Sequence, residues 1–82
     1  MSDEDFLASA RETHAIVSGL PEPEERVRLR RVAGYSQAQL AAHIGVTSTT
    51  FRGYELGRRV PRGWPLIRLA RFYDECREGA TV

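Results

Sequence analysis

The sequence predicts an all-α fold of five helices, and three observations carry that prediction. β-Branched and aromatic residues never alternate with polar ones over five or more positions, so no strand announces itself. Apolar residues recur instead at helical spacing. Helix punctuation is regular, with Ser2, Pro23, Ser36, Thr47 and Pro65 as starts and Gly19, Gly34, Gly45, Gly57 and Gly79 as stops. The 82 residues, 41% hydrophobic and 28% charged, allow one small compact domain. The apolar runs fall far short of the ~20 residues a bilayer span needs, and no signal peptide is visible. A single cysteine excludes a disulfide framework. A soluble cytoplasmic domain is expected.

Ser2 caps a first helix whose opening turn holds Asp3, Glu4 and Asp5, the sign favoured by the helix dipole. Phe6, Ala10, Thr13 and Val17, flanked by Leu7, His14 and Leu20, give it a rough apolar stripe ended by Gly19 and Pro21. Pro23 opens a second helix, with Glu24 and Glu25 in its first turn, carrying Val27, Leu29, Val32 and Ala33 up to Gly34. Ser36 and Gln39 form a capping box, and Tyr35 and Leu40 a hydrophobic staple. A third helix therefore starts near Gln37 and buries Leu40, Ala41 and Ile44. Gly45 ends it in the left-handed conformation. Thr47 caps the fourth helix, which runs to about Leu56, with Val46 and Phe51 as a second staple. Helix, short glycine-centred turn and helix make a helix-turn-helix layout. Pro65 begins a last helix with Leu66, Ile67, Leu69, Ala70, Phe72 and Tyr73, and Trp64 and Phe72 are expected to close the core. The chain thus divides into an acidic N-terminal helix over residues 1–20 and a helix-turn-helix domain over 21–82.

Charge is unevenly spread. Residues 1–25 hold seven acids against Arg11, for −6, whereas residues 26–82 hold eleven arginines against four acids, for +7. An acidic head on a basic body suggests a polyanion as the body's partner. All twelve basic residues are arginine. Guanidinium forks suit phosphates, although a GC-rich genome is the simpler reading and the one we favour.

The segment LRRVAGYSQAQLAAHIGVTSTTFRGYELGRRVP, residues 29–61, resembles the lambda-repressor-like helix-turn-helix domain of phage repressors, Cro proteins and Xre-type bacterial regulators. The likeness rests on Ser36-Gln37, Leu40-Ala41, Ile44-Gly45-Val46-Thr47, Phe51, Tyr54-Glu55, Gly57 and Pro61, and extends over about residues 26–73. It implies that the helix from Gln37 crosses a DNA backbone while the helix after Thr47 enters the major groove. Carried over position by position, Thr47, Ser48, Thr49 and Arg52 contact bases, and Gln37, Thr50, Arg58, Arg59 and Arg31 contact phosphates. Hydroxyls discriminate bases weakly, so Arg52 is the best bidentate reader. The resemblance also implies a structural salt bridge between Arg30 and Glu55.

Four departures stand out. Gly53 replaces a long polar residue and costs the helix roughly 1 kcal/mol relative to alanine. Leu56 stands where polar residues are common. Arg26 stands where an apolar residue is usual, so the start of its helix is open to rotation. The family's fifth helix after the fourth is missing at the C-terminus, and an extra helix stands at the N-terminus.

Nothing in the sequence supports an enzyme, a cofactor or a small-molecule ligand. His14 and His43 lack second metal ligands at helical spacing, and Cys76 has no CxxC partner, so no metal site is expected. The Ser/Thr cluster at 47–50 has no histidine–acid pair to activate it. The sequence thus reads as a sequence-specific, double-stranded DNA-binding repressor of the phage, plasmid or prophage kind. It would bind a palindromic operator as a homodimer, with Phe6, Val17, Phe72 and Tyr73 as candidate dimer residues. The alternative is a protein-binding module of the same fold, antitoxin-like or anti-repressor, docking a partner through the N-terminal helix.

Overall fold

A computed structural model describes residues 19–80, the side chain of Ala80 excepted. They form four helices and no strand: α1 (Pro23–Val32), α2 (Gln37–Ile44), α3 (Ser48–Glu55) and α4 (Gly63–Ala80). The all-α class holds, but the described residues do not reach five helices, and the acidic helix expected over 1–20 falls almost wholly outside them.

Local chemistry accounts for the helix ends. Pro23 opens α1 ahead of Glu24 and Glu25, and Arg30 and Arg31 occupy its last turn, so both ends carry the charge that the helix dipole favours. Ser36 and Gln39 complete a reciprocal capping box on α2: the Gln39 amide donates to Ser36 Oγ and the Ser36 amide to Gln39 Oε1. Gly45, at φ +83°, turns the chain so that its own amide and that of Val46 close onto the end of α2. Two residues later Thr47 caps α3 by accepting the Thr50 amide.

One side of each helix enters a single core made by Leu29, Leu40, Ala41, Ile44, Phe51, Leu69, Phe72 and Tyr73. Tyr35 and Val46, the leading residues of the two staples, pack against it from the turns. The Tyr35 ring meets Phe72 edge-on at 5.3 Å. In this frame α3 lies chiefly on α2 and also touches α1, leaving its outer face uncovered.

Several core expectations are corrected. Trp64 is 70% exposed, and Ile67 is exposed too. At about 100° per residue, Leu66, Leu69, Phe72, Tyr73 and Cys76 share the inner side of α4, and Trp64 and Ile67 fall opposite. The helix also begins at Gly63, two residues before Pro65. In α1 the inward side is Leu29 and Arg30, which turns Val32 and Ala33 to the surface. Phe72 and Tyr73, offered as dimer residues, are buried among their own helices. Phe6 and Val17 lie outside the described residues.

Candidate nucleic-acid interface

The site is built around α3. Phe51 and Glu55, one turn apart, face inward and are the buried residues of this helix. The outer face therefore presents Ser48, Thr49 and Arg52, all exposed. Thr47 and Thr50 are differently placed. The Thr47 hydroxyl accepts the Thr50 amide and donates to Thr50 Oγ1 at 3.0 Å, so both side chains serve the cap. Thr47 is exposed and offers its methyl, while Thr50 is half-buried.

A buried ion pair holds the far end of α3. Arg30 donates through Nε and Nη2 to the two oxygens of Glu55 at 2.7 and 3.1 Å, and through Nη1 to the Tyr35 carbonyl at 2.9 Å. Each nitrogen of that guanidinium donates a bond, which compensates a charge that burial would otherwise penalise heavily. Gln37 Nε2 adds a longer bond, 3.3 Å, to Glu55 Oε1. One junction thus joins α1, the turn after it, α2 and α3. The Gln37 amide group, expected at a phosphate, is half-buried and tied to this acid in the free protein.

Beside the junction opens a groove lined by Val27, Arg30, Arg31, Ser36, Gln37, Arg52, Glu55 and Leu56. It brings Arg31, Gln37 and Arg52 together from three helices. The basic loop follows α3, and its amides at Arg58 and Arg59 both donate to the Gly53 carbonyl, at 2.9 and 3.1 Å. A Cβ on Gly53 would lie 3.0 Å from Cγ and Cδ of Arg59, so the glycine makes room for the Arg59 stem as it folds back over α3. Arg31, Arg52, Arg58 and Arg59 are exposed, and none has a carboxylate partner among the described residues.

Sequence reasoning missed two features. Arg26 is half-buried and donates to two backbone carbonyls, Pro21 O and Tyr54 O, each at 2.6 Å. Its signal was an arginine at a position where an apolar residue was expected. Tyr73 contributes a buried hydroxyl with no hydrogen-bond partner among the described residues. Burial, reinforced by the Glu55 carboxylate, pushes that phenol well above the ordinary tyrosine value, against the pull of Arg26 and Arg30. His43 is exposed, with its ring 6.1 Å from Tyr35, and Cys76 is half-buried, its thiol pushed up by burial and by Glu75.

Two short helices at a tight turn, the second with its outer face exposed beside guanidinium groups that have no carboxylate partner among the described residues, define a helix-turn-helix DNA-binding domain. Comparison with known families agrees: residues 25–78 match the helix-turn-helix domain family. The chain belongs to that family, and the match is consistent with its lambda-repressor-like, Xre-type kind. Neither the curated proteins nor the solved structures contain a match. Among the described residues, no helix is long and apolar enough to cross a membrane.

Proposed function

We propose that the chain is a sequence-specific regulator of transcription, a small repressor that acts by binding double-stranded DNA and not by catalysis. The observation that carries this reading is the arrangement of Arg31, Gln37 and Arg52 around one groove, beside the exposed hydroxyls of Ser48 and Thr49. In this reading α3 enters the major groove, where Arg52 reads a guanine and Ser48, Thr49 and the Thr47 methyl touch neighbouring base edges. Arg31, Arg58 and Arg59 neutralise phosphates on either side. Gln37 keeps a second amide N–H, and Thr50 its own hydroxyl proton, to offer the backbone while holding the bonds they make in the free protein.

One such helix spans four or five base pairs, so useful selectivity requires two copies on a palindrome with half-sites about 34 Å apart. With three or four phosphates neutralised per subunit, the dimer's logarithmic salt slope is expected at roughly −5 to −7. Such a protein acts at the nucleoid, in the cytoplasm. Selection from a random duplex library tests the proposal. A palindromic consensus with one-turn spacing supports it. No preference over random duplex, together with recovery of a stoichiometric protein partner that depends on residues 1–20, points instead to the protein-binding module.

A further inference from the structure

We infer that Arg26 is a positioning residue for the DNA-reading unit: its guanidinium ties the segment before α1 to the last turn of α3 and so sets where Arg52, Arg58 and Arg59 stand. The inference rests on the DNA-binding reading of α3, but its first readout does not.

The geometry is specific. Arg26 Nε donates to the Pro21 carbonyl and Nη1 to the Tyr54 carbonyl, the second across 28 residues of sequence. A carbonyl in the last turn of a helix lacks its usual intrahelical donor, and a cation there is favoured by the dipole. The Tyr54 carbonyl also accepts the Gly57 amide at 3.2 Å, and the carbonyl before it, Gly53, accepts both Arg58 and Arg59. Arg26 therefore acts on the turn from which the basic loop departs. The same turn lies beside Pro23, whose Cγ would be 3.4 Å from a Cβ on Gly57. A planar fork aims donors in fixed directions at two carbonyls; a lysine ammonium lacks that preset geometry, and an apolar side chain satisfies neither. Both side-chain hydrogen bonds of Arg26 go to backbone, so the residue is engaged in holding and not in reading.

The test uses the full chain with Arg26→Leu and Arg26→Lys. Both are first checked for folding by thermal unfolding. Amide hydrogen exchange at Gly57, Arg58 and Arg59 is then compared with that at Leu40–Ile44, in the absence of DNA. Exchange in the loop is expected to accelerate about tenfold in Arg26→Leu and less in Arg26→Lys, with α2 unchanged. Affinity for the selected operator is expected to fall about tenfold and that for random duplex by less, with the salt slope unchanged, since Arg58 and Arg59 are displaced but no phosphate contact is lost. Loop exchange at the wild-type rate in both variants overturns the inference. So does a salt slope lowered by one phosphate per subunit, which makes Arg26 a direct contact. Should Arg26→Leu fail to fold, Arg26→Lys decides on the same readouts. A wild-type chain that prefers no duplex defeats the DNA reading alone, and the exchange measurement still judges Arg26.

Discussion

The two ends of α3 are held by different kinds of bond. At the start, Thr47 and Thr50 make every cap bond between themselves, three residues apart. At the finish, the local amide bonds of Gly57, Arg58 and Arg59 are joined by side-chain bonds from far along the chain: Arg30 and Gln37 to Glu55, and Arg26 to the Tyr54 carbonyl. The contrast has a functional sense. A helix that must lie against a foreign surface cannot be gripped from the side it presents. In the proposed reading, the end that enters the groove is therefore secured locally, and the helix orientation is fixed from the opposite end, where buried charge permits few alternative geometries.

The sharpest way to break this comparison is Glu55→Ala, which strands the Arg30 guanidinium at 7% exposure. Losing one partner of a buried pair costs about 3–5 kcal/mol, a large share of the stability of so small a domain. Urea unfolding followed by circular dichroism should show the midpoint collapse. The double variant Arg30→Met, Glu55→Leu should recover much of the loss, because no charge is then left buried. A single variant costing under about 1 kcal/mol would mean that the far end of α3 is no firmer than its start.

The next effect is on DNA. Arg58→Ala and Arg59→Ala should each weaken binding evenly across sequences and lower the salt slope by about 1 per subunit. Arg52→Ala should weaken it unevenly, by about 1–3 kcal/mol on the preferred operator and less on variants at one position. Titrations at several salt concentrations separate the two patterns. An even loss for Arg52 assigns it to phosphate.

The same contrast explains what was legible in the sequence. The capping box at Ser36 and Gln39, the left-handed Gly45 and the Thr47 cap depend on residues within a few positions, so spacing alone located the starts of α2 and α3. The contacts of Arg26 and Gly53 depend on what the fold brings back to them. Gly53 reads as a missing side chain and a weakened helix, and only the return of Arg59 over it shows the space being used. Trp64 reads as core because of its size, yet its angle on α4 turns it outward. Arg30 and Glu55 were brought together only through a family likeness, since 25 residues of sequence carry no local signal of the pair.

Thr47→Ala tests the start of α3. Removing an N-cap hydroxyl costs about 1 kcal/mol, within a range of 0.5–2. The loss should appear as a lower thermal midpoint with no change in the Arg30–Glu55 contribution, because the two ends are independent. A double-mutant cycle between Thr47→Ala and Glu55→Ala is expected to be additive to within about 0.5 kcal/mol. A larger coupling would merge the two ends into one unit.

The smallest effect belongs to Tyr73, the buried neighbour of the charged end. Its hydroxyl finds no hydrogen-bond partner among the described residues, so Tyr73→Phe removes a polar atom that burial penalises and leaves the ring in place. Stability at neutral pH should be unchanged or higher by up to about 1 kcal/mol. The alkaline limb carries the sign. The folded phenol is held above its ordinary value, while in the unfolded chain it ionises near pH 10. Above that pH the unfolded state binds fewer protons than the folded one, so wild-type stability falls as pH rises. Tyr73→Phe should flatten this part of the fall and leave the rest of the profile intact. An identical alkaline slope in the two proteins would place the phenol in contact with water, and the charged end of α3 would then be less sheltered than its bonds imply.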